Sequence, residues 1–256
     1  MVQFFLNCSN TITMPEGPSI VILKELVQQF NGQEVLEVSG NTKIDKDRLL
    51  NKKVLEFKSW GKHFLIVFEG FALRIHFLLF GTYRINERKE TQPRLGLVFG
   101  NGELNMYACG LQVIEGDLDT VYDWAADVMS DLWDPGKAKQ KLLKQPKMLA
   151  CDALLDQDIF AGSGNIIKNE VLFRIHTHPE STIGSMQEIQ LDALIKEVRD
   201  YSFDFFRWKK AYELKKNWLA HTKRISHRCN LAFAKQKLGK TNRKSFYCES
   251  CQKLYV

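Results

Sequence analysis

Between residues 19 and 30, Ile20, Val21, Leu23, Leu26, Val27 and Phe30 recur at the spacing of one helix face, and Asn31-Gly32 stops the run. Short β-like runs follow at 34–38, 53–60, 63–69, 72–76, 81–86, 95–98, 104–107 and 111–114. Turn signals such as Glu69-Gly70 and Gly100-Asn101-Gly102 separate them. Close, regular spacing of this kind predicts an antiparallel sandwich or barrel. From 117 to 133 the chain is acidic without alternation, and Asp134-Pro135-Gly136 breaks it. Helical spacing then returns at 138–143, 148–155, 166–173 and 186–206, which predicts a second, helical domain. The last stretch, 225–256, is short and basic, and no internal repeat is visible.

Three places break the pattern. In His76-Phe77-Leu78-Leu79-Phe80-Gly81, large apolar residues run straight into a glycine where alternation calls for polar ones. Either both faces are buried there, or Leu78, Leu79 and Phe80 form an exposed apolar wedge of the kind that enters a base stack. In Trp60-Gly61-Lys62-His63, a lysine stands at the head of an apolar strand. Gly162-Ser163-Gly164 ends one helical run just before another begins near Asn165. That corner is either an ordinary turn capped by Asn165 or a helix N-terminus open to an anion.

Charge changes the picture more than composition does. An apolar content of 45% and a charged content of 26% describe an ordinary globular chain, and no apolar run is long enough to span a bilayer. The net charge of +6 is unevenly spread: residues 207–256 hold fourteen Lys and Arg against Glu213 and Glu249, leaving 22 basic and 28 acidic groups elsewhere. A basic C-terminal module on an acidic body predicts nucleic-acid binding. Lys240-Thr241-Asn242-Arg243-Lys244 reads as a basic hairpin tip suited to phosphates.

Six scattered cysteines suit a reducing compartment, and residues 1–13 do not read as a signal peptide. Cys248-Glu249-Ser250-Cys251 is half of a zinc ribbon, with Cys229 upstream. Position 226 is serine, so His227 is the candidate fourth ligand beside Cys229, Cys248 and Cys251; a metal-free hairpin is the alternative. Met14-Pro15-Glu16-Gly17-Pro18 either starts a helix or, if the chain begins at Pro15, presents a secondary α-amine beside Glu16. Such amines titrate near pH 7.7–8.0, so a neutral nucleophile is available.

Taken in order, these motifs resemble the formamidopyrimidine-DNA glycosylase / endonuclease VIII family, from residue 14 to the C-terminus. They run Met-Pro-Glu-Gly-Pro, Gly-Lys-His, His-x-x-Leu-Phe-Gly, Leu-Asp-Gln…Gly-Ser-Gly-Asn-Ile…Glu-Val-Leu-Phe-Arg…His-Pro and Phe-Tyr-Cys-x-x-Cys-Gln. The resemblance implies an α+β multidomain fold: an N-terminal β-sandwich with a leading helix (14–116), a helix-two-turns-helix domain (117–224) and a zinc-finger-like β-hairpin (225–256). It implies a bifunctional glycosylase/AP lyase of base-excision repair, acting on double-stranded DNA with oxidised bases or abasic sites. Met-Pro-Glu-Gly-Pro and the Leu-Phe-Gly wedge lean to the endonuclease VIII side, hence to oxidised pyrimidines. By the same resemblance Pro15 attacks C1′ to form an iminium that drives β,δ-elimination, and Glu16 is the acid/base. Lys62, Asn165 and Arg243 grip phosphates, with His76 a further contact, and Leu78, Leu79 and Phe80 enter the stack, Leu79 foremost. A structural zinc ion, a monomer and a cytoplasmic, nucleoid-associated location are also expected. The sequence departs at Ser19, at Ser226 and in the thirteen residues ahead of Met14, which are expected to be absent from the working protein. If they are retained, the alternative is a non-catalytic binder of damaged DNA.

Overall fold

The computed structural model describes residues 15–256. Met14, and with it the expected start of the working chain, lies outside the described residues. Helix α1 (Gly17–Leu26) carries Pro18 in its first turn, where a missing N–H is harmless. Its Ile20 and Leu23 are buried.

Strands β1 (Glu37–Ser39), β2 (Glu56–Trp60), β3 (His63–Phe68), β4 (Phe71–Ile85), β5 (Leu95–Phe99) and β6 (Gly102–Glu115) form one antiparallel sheet in the order β1-β5-β6-β4-β3-β2. Two strands are long. The first half of β4 pairs with β3, while the first half of β6 pairs with β5. Each end of the β4–β6 ribbon therefore carries its own pair of flanking strands, and a single core lies between these two layers. Phe64 and Ile66 from one half meet Leu95, Leu97 and Leu104 from the other in that core, with Ile20 and Leu23 of α1. Burying each such side chain contributes about 1.5–3 kcal/mol. Leu65 and Val67 face the opposite way, into a smaller cluster with Trp60, Tyr122 and Ala161. Burial on both faces explains why β3 reads as an unbroken apolar run.

The segments expected as separate strands at 72–76 and 81–86 are the two arms of β4. Between Phe77, opposite Cys109, and Thr82, opposite Tyr107, four residues face the single Ala108. Leu78, Leu79, Phe80 and Gly81 must therefore loop out of the ladder.

The helical part comprises α2 (Pro135–Leu143), the one-turn α3 (Ala150–Ala153), α4 (Asn165–Arg174) and α5 (Glu188–Lys210), around a core including Phe160, Val171, Leu194 and Tyr201. From Ile166 to Phe173 α4 is buried throughout, packed against α5 and the C-terminal hairpin. Lys168, Asn169 and Glu170 are buried with it, so each must find partners inside the protein. The hairpin consists of β7 (Ala234–Leu238) and β8 (Arg243–Tyr247). Among the described residues no helix is long and apolar enough to cross a membrane.

Candidate active site

Glu16 is the N-cap residue of α1 yet makes no side-chain cap to its own helix. Its carboxylate turns to the other domain and caps α4: Oε1 accepts from Ile166 N–H at 2.7 Å and Oε2 from Ile167 N–H at 3.2 Å. The expected anion site before Asn165 is thus occupied by the protein's own carboxylate, on the positive end of a helix. Gly164 is the reason it fits, because a Cβ there would fall inside the Glu16 carboxyl group. Burial holds the Glu16 carboxyl above the usual carboxylate range, although Lys62 and the two N–H groups pull it down. The result is a buried acid that holds its proton more tightly than an exposed glutamate does.

Lys62 arrives through a close backbone crossing. Gly17 N–H donates to Gly162 O at 2.9 Å. Added Cβ atoms on Gly17 and Gly61 would approach the Gly162 backbone to 2.8 and 2.9 Å. Asp127, 3% exposed, fixes this junction by accepting from Gly61 N–H at 3.0 Å and Met129 N–H at 2.9 Å. Burial pushes its carboxyl up to about 6. Half-buried Lys62, next in the chain, is shifted below the ordinary lysine range by burial, with Glu16 opposing and Arg243 adding to the shift.

Arg243 reaches the same neighbourhood from the hairpin, where it opens β8. Three contacts from the helical domain steady that hairpin. Asp152 Oδ1 and Oδ2 accept from Lys240 N–H at 2.9 and 3.1 Å. Lys168 Nζ donates to Ser245 Oγ at 2.8 Å, and Phe246 N–H donates to Asn169 Oδ1 at 3.0 Å. Glu170 accepts from Leu219, Ala220 and His221 N–H, which ties down the approach to the hairpin. Burial lowers Lys168 to about 8.

Pro15 is half-buried directly before Glu16. The structure therefore brings the Pro15-Glu16 pair, Lys62, the start of α4 at Asn165 and Arg243 to one seam between domains. The side-chain oxygen of Asn165 is buried and unpartnered. His76 lies on β4 opposite His63, their rings 5.6 Å apart edge to face. Burial and the Lys62 charge shift the His76 imidazole below its ordinary range, which disfavours its charged form. Of the two readings of the next residues, the exposed wedge holds: Leu78, Leu79 and Phe80 are 49%, 48% and 62% exposed.

The metal-ligand expectation needs one correction. Sγ atoms of Cys229, Cys248 and Cys251 gather within 4.8 Å of one another. His227 is not among them, because its ring packs edge-on against Phe173, centroids 5.5 Å apart. Three thiols at this spacing are a soft donor set able to bind a metal ion. Hydrogen bonding from Cys251 draws the Cys229 thiol down to about 7, while burial pushes Cys251 up to about 11.

Sequence reasoning missed Asp127, Asp152 and Lys168. Asp127 sits in a segment that reads only as acidic and without alternation, and its burial against Gly61 is what sets it apart. Lys168 and Glu170 lie inside the Gly-Asn-Ile…Glu block, and three adjacent polar residues within an apolar helical run were the available signal.

Residues 125–201 match the model of the formamidopyrimidine-DNA glycosylase H2TH domain. The mouse protein named Endonuclease 8-like 3 is 29% identical over 216 residues, 80% of this chain and 36% of that protein. Bovine Endonuclease 8-like 2 is 35% identical over 150 residues, 54% of this chain and 44% of that one. The chain thus spans less than half the length of these curated relatives. A Lactococcus lactis formamidopyrimidine-DNA glycosylase, solved non-covalently bound to AP-site DNA, superposes with a TM-score of 0.82. That match has 20% identity and covers 93% of this chain and 99% of the other, so the two share a fold. The H2TH match, the endonuclease 8-like relatives and this common architecture together support a likeness to the formamidopyrimidine-DNA glycosylase / endonuclease VIII family, nearer its endonuclease VIII side.

Proposed function

We propose that this chain is a DNA glycosylase/AP lyase that removes oxidised bases, pyrimidines foremost, from double-stranded DNA. The observation that carries the reading is Glu16: a buried carboxylic acid adjoining Pro15, seated on a helix N-terminus between two cations from different domains. In a chain that begins at Pro15, the secondary amine attacks C1′ of the damaged nucleotide and the base departs. A secondary amine yields a cationic iminium without losing a further proton. That cation is the electron sink for β- and then δ-elimination of the flanking phosphates. Glu16 supplies the proton that opens the sugar ring, a role its raised pKa suits.

Lys62, Arg243 and Asn165 hold the phosphates beside the lesion. Lys62 is shifted down by its own burial, and an approaching phosphate favours its charged form. His76, shifted below its ordinary range by burial, adds a further polar contact. Leu78, Leu79 and Phe80 fill the space left by the extruded nucleotide, and their exposure supports this. The three thiols hold zinc, which when bound supplies a structural crosslink at the base of the β7–β8 hairpin.

The test is cleavage of matched duplexes by a chain started at Pro15. The expected result is strand scission at an abasic site with phosphate left on both ends, and faster base release from thymine glycol than from 8-oxoguanine. Tight binding with no scission would replace the reading with that of a damage-binding protein.

A further inference from the structure

We propose that Ser226 is the fourth metal donor of the C-terminal site, making it a three-thiolate, one-hydroxyl centre in place of one completed by His227. Ser226 is fully buried, and its Oγ lies 3.5 Å from Cys251 Sγ. Cys229 Sγ lies 3.4 Å from Cys248 Sγ and 3.2 Å from Cys251 Sγ. A tetrahedral ion with the usual zinc–sulfur and zinc–oxygen bond lengths of about 2.3 and 2.1 Å sets sulfur–oxygen edges near 3.6 Å and sulfur–sulfur edges near 3.8 Å. The Ser226–Cys251 distance already equals such an edge, and Cys229 needs to part from each of the other two thiols by only about half an ångström.

The local backbone keeps Ser226 there. Its N–H donates to Leu231 O at 2.8 Å, and its O accepts from Asn230 N–H at 2.9 Å. The loop thus folds Ser226 and Cys229 toward one point. Across from them, Gln252 accepts from Cys248 N–H at 2.9 Å and donates to Thr177 O at 2.8 Å, so the second arm is anchored to the helical domain. His227, one residue on, is turned to Phe173, and bringing it in would require undoing that packing.

Metal binding releases a proton from each of the three thiols, while the serine binds as a neutral hydroxyl. The loaded centre has one negative charge, one fewer than an all-thiolate site. A hydroxyl is a harder and weaker donor for zinc than a thiolate, so this ion is held less tightly and exchanges faster.

Metal titration of the full chain, reduced and chelator-stripped, tests this with cobalt(II) as spectroscopic probe and zinc as competitor. The wild type is expected to bind one cobalt per chain with tetrahedral d–d bands and charge-transfer intensity for three thiolates. S226C is expected to raise that intensity to four thiolates and tighten zinc binding roughly tenfold or more, and S226A to weaken it by a similar factor. H227A is expected to change neither. Circular dichroism of each metal-free variant separates loss of a ligand from loss of fold. An S226A chain matching wild type in spectrum and affinity would overturn the assignment, as would H227A abolishing tetrahedral cobalt or S226C adding no thiolate band.

Discussion

Glu16 is 3% exposed, and both its oxygens take backbone N–H groups from a helix of another domain. Phe80 is 62% exposed, in a four-residue loop that faces a single residue across the ladder. The two regions carry opposite devices. At the seam, Gly17, Gly61, Gly162 and Gly164 remove side chains so that backbone and carboxylate interlock. At the wedge, apolar side chains that packing left uncovered are free to enter something else. The seam fixes groups where a misplacement of about 1 Å costs much of the rate, while the wedge needs only bulk and reach. Substitutions should therefore behave differently in the two places.

The largest effect is expected at Glu16. E16Q keeps the volume, removes the proton and leaves one of the two α4 N–H groups without its acceptor, so single-turnover base release should fall at least about 100-fold with duplex affinity within a few-fold of wild type. Equal loss of both would mean that Glu16 only holds the domains together. Next comes G164A, whose methyl would displace the Glu16 carboxyl. It should lower stability by about 1–3 kcal/mol in denaturant titration and reduce base release, as overpacking does. Wild-type activity in G164A would show that the seam is softer than its geometry.

Asp127 gives a pH signature. Its carboxyl titrates at about 6 when folded, against a reference of 3.8. Its protonated form favours the fold, so this contribution is full below pH 3.8 and is lost as pH rises to about 6, up to about 3 kcal/mol. D127N should flatten the pH dependence of the thermal midpoint across that window. The smallest effect on the fold belongs to the wedge. L79A and F80A should change stability by less than about 0.5 kcal/mol, and loss of discrimination between lesion and intact duplex is the expected readout. A large stability loss there would mean that these residues are packed in solution.

How much of this was legible in the sequence follows the same division. Regular periodicity marked α1 and α5 well, because one face of each carries the apolar load, while β3 was marked by an unbroken apolar run because both its faces are buried. The wedge announced itself as a failure of alternation at residues 77–81, but its direction depended on the partner strand offering only Ala108. The seam was readable only in parts. Glu16 and the α4 N-terminus are 150 residues apart, and nothing local says that one caps the other. With serine at position 226, the sequence offered His227 as the fourth ligand, and only its packing on Phe173 takes it away from the thiols.

The most direct test of the central claim is borohydride trapping on an abasic duplex with a chain whose first residue is Pro15, followed by peptide mass spectrometry. The reading predicts a covalent adduct carried by the Pro15 nitrogen, and none from a chain that keeps the residues before it. Absence of an adduct from the Pro15-initiated chain, or an adduct mapped to Lys62 or another lysine, would contradict it.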